Sequence, residues 1–200
     1  MPDPEKPVER SPFRLVVIAA SAGGLSALSR VLAALPSDFP LPLAIVQHLD
    51  PNHVSRLADI LDRRTTLSVK EAKANDRLRS GFVYVAPPGW HMVIMPGGAI
   101  ALTHTVPVHF VRPSADELFQ SAARAFGPAI AVILTGNGTD GATGAAAVKA
   151  RGGTVIAQDK ATSAFFGMPH AAIATGIVDY ILPLDDIPPR LINLAWNQSS

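Results

Sequence analysis

The chain has 200 residues, a length that suits one domain with a substantial core. Apolar residues make up 48% and charged residues 16%, which argues against disorder, and a formal charge of +1 gives no reason to expect nucleic acid or an anionic membrane as partner. The chain has no cysteine, which excludes disulfides, cysteine-ligated metals and a cysteine nucleophile. No secretory signal or apolar run long enough to insert into a membrane is evident, so we expect a cytoplasmic location.

The first residues differ in composition from the rest. Residues 1–12 hold four prolines and five charges, so we expect a disordered tail or linker stub before one domain over residues 13–197. Beyond the tail, apolar runs alternate with segments of helical spacing. Strands are predicted at 15–20, 43–47, 130–134, 154–158 and 177–182, and helices at 25–35, 54–64, 114–126, 141–150, just after Pro169 and at 187–196.

The middle of the chain has a different pattern. Short strands at 82–87, 91–95, 99–103 and near Val108, separated by PPG and PGG turns, predict a β-hairpin insertion near the sheet edge. Ser114 with Glu117 three residues on is a capping-box pattern for the helix that follows. The sequence thus predicts a single, doubly wound α/β domain, with a mostly parallel sheet and a small hairpin insertion.

Three residues with acyl-transfer chemistry follow predicted strands. Ser21 comes after the first strand, His48 after the second, and Asp140 lies in the loop after 130–134. Ligands of open parallel sheets bind at the carboxyl ends of the strands, so these side chains are expected to gather there. A serine, a histidine that takes its proton and an acid that orients the imidazole form a nucleophilic set. A backbone N–H at the start of the first helix could hold an oxyanion.

Each of these residues also has a structural interpretation. A serine before a helix is most often an N-cap, and a lone histidine after a strand is more often a hydrogen-bonding structural residue. Glycine-rich loops such as TGNGTDG (135–141) also bind phosphate, although the chain has no G-x-G-x-x-G after its first strand and no G-K-[ST]. Ala19 stands where a G-x-S-x-G elbow would have its first glycine. Acyl transfer, structural roles and phosphate binding therefore all remain open on the residues alone.

The other histidines show no metal-ligand spacing. Surface or partner contacts are expected for His91, His104 and His109. His53 is predicted on the first turn of the second helix, and His170 either near the site or as a cap. Trp90, after the PPG turn, is expected to line a groove, to pack in the core or to lie in a plain exposed turn.

Six segments occur in an order that resembles the bacterial chemotaxis protein-glutamate methylesterases. They are ASAGGLSAL, VQHLDP, YVAPPGWHM, VRPSADELF, ILTGNGTDGATG and AQDKATSAFFGMPHAA, and the resemblance covers about 15–187. It implies a catalytic domain that removes methyl esters from glutamate side chains of chemoreceptors, and many such enzymes also deamidate receptor glutamines. No cofactor or metal is implied. The implied partners are the methylated cytoplasmic domains of chemoreceptors and a separate regulatory receiver protein.

The same resemblance assigns roles to particular residues. It implies Ser21 as nucleophile, His48 as base and Asp140 as the acid partner of the histidine, with backbone N–H groups of Ala22 and a residue near Asn137 as oxyanion donors. After attack by the serine and loss of methanol, water would hydrolyse the acyl-enzyme, with the histidine again as base.

The chain departs from the family pattern at three positions near these residues. Ala19 replaces a usual glycine, Ala22 replaces a frequent hydroxyl residue, and Asn137 stands where methionine is common. Residues 1–12 are too few for the receiver domain that family members usually carry, so the resemblance implies a stand-alone form or an excised domain. Two alternatives follow: a catalytically weak or silent relative that docks on receptors, and an esterase that acts on a different protein.

Overall fold

The computed structural model describes residues 14–49 and 55–196. The predicted tail at 1–12 and the predicted position of His53 lie outside these residues. The main element is a seven-stranded sheet in which every neighbouring pair is parallel. Its strands are β1 (Val16–Ala20), β2 (Leu43–Gln47), β3 (Ser68–Glu71), β4 (Phe82–Val85), β7 (Ile130–Ile133), β8 (Thr154–Gln158) and β9 (Tyr180–Leu182), and a separate antiparallel hairpin is formed by β5 (His91–Ile94) and β6 (Ile100–Thr103).

Within the described residues, six helices accompany the strands, and they cover both faces of the sheet. They are α1 (Gly24–Ala33), α2 (Leu57–Asp62), α3 (Ala115–Phe126), α4 (Ala142–Ala150), α5 (Gly167–Ala174) and α6 (Ile187–Trp196), the last entered through a 3₁₀ turn at Leu184–Asp186. Apolar residues of α1, α2 and α6 pack with Val16 and Ile18 of β1 on one face. Those of α3, α4, α5 and the hairpin pack with Val17 and Ala19 on the other.

This arrangement follows from the composition of the central strands. All five residues of β1 are fully buried, and so are the four residues of β7 beside it. A strand that is apolar on both faces is stable only when both faces are covered, as in doubly wound folds. The predicted fold class, a doubly wound single domain with a mostly parallel sheet and a small hairpin insertion, is therefore confirmed.

The structure corrects the prediction for the middle of the chain. The strand predicted at 82–87 is not part of the hairpin insertion, because β4 pairs with β2 in the main sheet. The edge strand β3 was not predicted, since its sequence SVKE is half exposed and carries two charges. The stretch near Val108 forms only an isolated bridge between Val108 and Val111. The second helix begins at Leu57 and ends at Asp62, and so is shorter than the predicted 54–64.

No helix within the described residues is both long and apolar enough to cross a membrane.

Candidate functional site

The site lies where the strand order of the sheet reverses. The strands run β3-β4-β2-β1-β7-β8-β9, so the chain winds outward in one direction from β1 and in the other from β7. Such a switch point opens a crevice at the carboxyl ends of the strands, where ligands bind in open parallel sheets. Ser21 directly follows β1, His48 directly follows β2, and Asp140 lies in the loop between β7 and α4. All three predicted residues therefore follow strands of this central region.

His48 and Asp140 form a direct pair. His48 Nε2 lies 2.8 Å from Asp140 Oδ2, and the aspartate side chain is 3% exposed. An ionised carboxylate only accepts hydrogen bonds, so Nε2 carries the proton of this bond. The second ring nitrogen, Nδ1, is then unprotonated in the neutral imidazole and can act as a base.

The N-terminus of α3 holds the carboxylate of Asp140. The Ser114 hydroxyl donates to its Oδ1 (2.7 Å), Ala115 N–H to Oδ2 (2.6 Å) and Asp116 N–H to Oδ1 (3.1 Å). The capping box predicted from Ser114 and Glu117 is therefore wrong, because the Ser114 side chain makes no cap bond within its own helix. Asp140 caps α3 from another element, and this fixes the carboxylate in place against His48.

A second buried carboxylate, Asp116, makes the equivalent contacts to the N-terminus of α4. Its Oδ1 accepts the N–H groups of Gly141 (3.0 Å) and Gly144 (2.6 Å), which follow Asp140 in the chain. Asp140 thus caps α3, the helix that contains Asp116, and Asp116 caps α4, the helix that follows Asp140. Asp116 was not among the residues predicted from the sequence. The available signal was a second acid in the first turn of a helix whose serine already resembled a cap.

The pKa values of Asp140 and Asp116 are shifted in opposite directions. Burial alone would raise the pKa of Asp140, but the hydrogen bonds from His48, Ala115 and Ser114 outweigh it and hold the pKa below its ordinary value. Burial raises the pKa of Asp116, helped by the charge of Asp140, against the lowering effect of the Gly144 N–H. Asp140 is therefore the member of the pair that stays ionised beside the histidine.

Because the pKa of Asp140 is lowered, the stability difference between wild type and Asp140→Asn should depend on pH. A carboxyl group whose pKa is lower in the folded state than in the unfolded state stabilises the fold at pH values above its unfolded-state pKa, here 3.8. This stabilisation is lost as the pH falls through the folded-state pKa. We expect Asp140→Asn to lower the free energy of unfolding at pH 7 and the difference from wild type to shrink below about pH 4. Urea unfolding from pH 3 to pH 7 measures it, and a difference that grows on acidification would contradict the assignment.

Gln47 joins the backbones of Ser21 and His48. Its Nε2 donates to Ser21 O (2.8 Å) and to His48 O (3.0 Å), while His48 N–H donates to Ala20 O (3.0 Å). The Gln47 side chain is 5% exposed, and its Oε1 accepts no hydrogen bond from the described residues. These hydrogen bonds of Gln47 were not predicted from the sequence either, because a glutamine at the end of an apolar strand has no distinctive pattern.

Gly24 is needed where the Gln47 side chain crosses the start of α1. A Cβ at this position would lie 1.9 Å from Gln47 Oε1 and 2.8 Å from Ala20 Cβ. The lack of a side chain at Gly24 therefore makes room for Gln47. Gly23, the N-cap of α1, has φ +78°, which favours glycine, and Ser21 is not the predicted N-cap because its hydroxyl caps nothing in α1.

We expect Gly24→Ala to destabilise the fold by about 2 kcal/mol, because the added methyl group overpacks a buried site. Chemical denaturation measures the loss. Gln47→Ala provides the matched control, since it removes the atom nearest the added methyl group. In the Gln47→Ala background, Gly24→Ala should cost less than in wild type. Strictly additive costs would show that the clash with Gln47 is not the cause.

The loop after β7 passes directly beside Ser21. Ser21 N–H donates to Thr135 O (3.0 Å), and a Cβ on Gly136 would lie 2.7 Å from Ser21 Cβ. The N–H groups of Ala22 and Asn137 donate to no acceptor within 14–49 and 55–196. Both therefore have no acceptor among the described residues, and their role as oxyanion donors stays a prediction.

Ser21 and His48 border different openings. Ser21 lines a groove of about 710 Å³ between α1 and α2, with apolar side chains such as Leu25, Leu57 and Ile60. His48 lines a cleft of about 250 Å³ with the loop 137–140, His109 and Phe110. The Ser21 hydroxyl makes no hydrogen bond with any described residue, so the structure joins His48 to Asp140 but does not bond Ser21 to His48. Catalytic hydrogen bonds are often long in unliganded enzymes and tighten with substrate.

The charges around TGNGTDG disfavour the phosphate-binding alternative. At the start of α4, the N–H groups of Gly141 and Gly144 already donate to Asp116. A phosphate would have to replace this carboxylate and lie beside Asp140, which is also buried. The described residues contain no group of three or more metal-ligating side chains suited to an ion.

Within the described residues, none of the other predicted histidines hydrogen-bonds directly to His48 or Asp140. His91 is fully buried, which corrects the predicted surface role; its Nδ1 accepts the Ser114 N–H (3.1 Å). His104 bonds Gly89 O through Nδ1 (2.9 Å), and its ring packs against the half-exposed Trp90. His170 is exposed on α5, with its ring 5.8 Å from that of Phe166. Of the predicted surface histidines, only His109 borders the cleft.

Comparison with protein families matches residues 16–191 to the CheB methylesterase model. Among curated relatives, a protein-glutamate methylesterase/protein-glutamine glutaminase of Anaeromyxobacter dehalogenans is 47% identical, over 94% of this chain and 55% of the relative. One from Moorella thermoacetica is 43% identical, over 94% and 46%. The chain thus spans about half the length of the curated relatives it matches.

The fold is similar to that of a solved structure. The crystal structure of the Thermotoga maritima CheB methylesterase catalytic domain matches with a TM-score of 0.87 and 42% sequence identity, over 91% of this chain and 98% of that one. The family match covers most of the chain and includes both β1 and α4. The chain therefore belongs to the CheB methylesterase family.

Proposed function

We propose that the protein is a serine hydrolase that removes methyl esters from glutamate side chains of chemoreceptors and deamidates receptor glutamines. The observation that carries the proposal is the buried His48–Asp140 bond next to the backbone of Ser21. The names of the relatives from Anaeromyxobacter and Moorella support both activities. The intact serine, histidine and aspartate argue against a catalytically silent docking relative.

In the proposed reaction, Ser21 Oγ attacks the carbonyl carbon of the ester while His48 Nδ1 accepts the hydroxyl proton. Asp140 stays ionised, holds Nε2–H and stabilises the imidazolium that forms. The N–H groups of Ala22 and Asn137 stabilise the oxyanion of the tetrahedral intermediate. Loss of a used donor typically costs about 10²–10³ in rate, and backbone donors do not depend on the side chains that differ here from the family pattern.

The intermediate then collapses as His48 returns the proton to the leaving oxygen, and methanol departs. A water molecule attacks the resulting acyl-enzyme with His48 again as base, which releases the glutamate carboxylate and restores Ser21. With a glutamine substrate the leaving group is ammonia, and the other steps are the same. In this proposed reaction, His48 carries out each proton transfer.

The substrate and the cellular setting belong to the same proposal. The substrate is the methylated cytoplasmic domain of a chemoreceptor, and the enzyme acts in the cytoplasm without inserting into the membrane. A separate receiver protein regulates it. The catalytic domain of this proposal is the one predicted over residues 13–197.

Methanol release from receptor-containing membranes tests the proposal. Membranes with chemoreceptors carrying radiolabelled methyl esters are incubated with the protein, and volatile label is counted. The proposal predicts label released as methanol, and glutamate formed at receptor glutamines by mass spectrometry. Absence of release, while small methyl esters are hydrolysed, would favour an esterase of a different protein. Absence of hydrolysis with every ester would favour the silent relative.

A further inference from the structure

The turn from Val108 to Val111 has an unusual sequence for its shape. Val108 and Val111 exchange both backbone hydrogen bonds, at 3.1 Å and 2.9 Å, so His109 and Phe110 are the two central residues of a tight hairpin turn. Both have positive φ, +49° and +64°. Turns with two such residues strongly favour Asn-Gly or similar pairs, because a bulky side chain is strained in this region.

The strain is not offset by burial of the aromatic ring. Phe110 has a relative exposure of 102%, so its side chain contacts almost nothing in its own chain. His109 fixes the turn instead, since its Nε2 lies 3.1 Å from Oδ2 of the buried Asp116. The turn is therefore attached to the carboxylate that caps α4 beside Asp140, and it holds a large apolar ring in water.

The Phe110 ring lies at the rim of two openings next to His48. Phe110 lines both openings that border His48: the 250 Å³ cleft shared with the 137–140 loop, and a smaller one of about 140 Å³ shared with Pro107 and Arg112. In the proposed reaction His48 takes the proton of Ser21, so an ester that reacts there lies next to these openings and the segment that carries it lies close to Phe110. A second copy of the enzyme seated on Phe110 would instead obstruct the same openings.

We propose that Phe110 is an apolar anchor for the protein substrate, packing against apolar side chains next to the reacting glutamate. The inference rests on the proposed function and adds the surface by which a protein-borne ester is selected over a small ester. An aromatic side chain supplies a large, rigid contact area at low entropic cost, which makes it an effective anchor.

The test compares a protein substrate with a small one. For Phe110→Ala we expect KM for methylated receptor to rise about tenfold, a typical effect of losing an aromatic anchor, with kcat little changed. Hydrolysis of N-acetylglutamate γ-methyl ester should stay at the wild-type rate, because this ester has no neighbouring segment. Ile181→Ala is the matched control, since Ile181 is 51% exposed on β9 and borders neither opening to His48. It should leave both reactions unchanged.

A second variant separates docking from folding. Glycine adopts positive φ without strain, so Phe110→Gly should raise the melting temperature or leave it unchanged, while KM for the receptor still rises. Equal effects on the receptor and the small ester, an unchanged KM, or a dimer that dissociates with Phe110→Ala in sedimentation would each overturn the inference. If wild type releases no methanol from receptors, the proposed function itself fails; if it does and Phe110→Ala matches it, only the inference fails.

Discussion

Replacing Ser21 with alanine should lower kcat for methyl-ester hydrolysis by about 10⁴-fold or more, because the hydroxyl is the only atom that forms the acyl-enzyme. The fold should be unaffected, since the Ser21 hydroxyl bonds to no described residue and the backbone contacts to Thr135 and Gln47 do not use it. Methanol release from methylated receptors, measured with matched protein concentrations and thermal unfolding curves, checks both expectations.

Ser26→Ala is the matched control for this prediction. Ser26 lies in α1, lines the same groove as Ser21 and is exposed. Its hydroxyl has no role in the proposed reaction, so its removal should change kcat by less than about twofold. A Ser21→Ala enzyme that retained wild-type turnover would exclude this serine as the nucleophile.

The second large effect is expected for Asp140→Asn, which should lower kcat by about 10⁴-fold. An asparagine can turn its NH₂ group toward His48, and Nε2 would then have to accept, which moves the ring proton to Nδ1. Nδ1 could then no longer take the proton of Ser21. The loss should appear in kcat for the small ester as well as for the receptor, because it acts on the chemical step.

Asp179→Asn controls for the loss of an aspartate that bonds a backbone N–H. Asp179 accepts the Val155 N–H (2.9 Å) near the start of β8 and pairs with Lys149, at the end of the sheet opposite the site. It should alter stability without changing kcat. An Asp140→Asn enzyme with nearly normal kcat would mean that the histidine does not need this carboxylate.

The fold and the three candidate residues could be predicted because both depend on local pattern. Continuous apolar runs such as 15–20 indicate strands buried on both faces, and the residues that follow parallel strands meet at one edge of the sheet. These two rules place Ser21, His48 and Asp140 at one edge of the sheet, and their side-chain chemistry marks them as candidates. Their catalytic roles stay predictions, because geometry alone does not show which atom reacts.

The contacts that organise the site could not be predicted, because they join residues that are distant in sequence. Ser114 and Glu117 matched a local cap, yet the Ser114 hydroxyl bonds Asp140, 26 positions away. Gln47 and Gly24 fit together only once β2 and α1 are packed. The polar edge strand β3 lacks the apolar run that marks a buried strand, and it depends on pairing with β4.

In the proposed reaction, Ser21 is a nucleophile activated by His48. Labelling with a fluorophosphonate, followed by trypsin digestion and fragment mass spectrometry of residues 15–30, tests it most directly. This peptide also contains Ser26 and Ser29, so fragmentation compares three serines of one segment. We expect an adduct on Ser21 alone, which is lost in His48→Ala. An adduct spread over the three serines, or one that persists at full rate without His48, would contradict it.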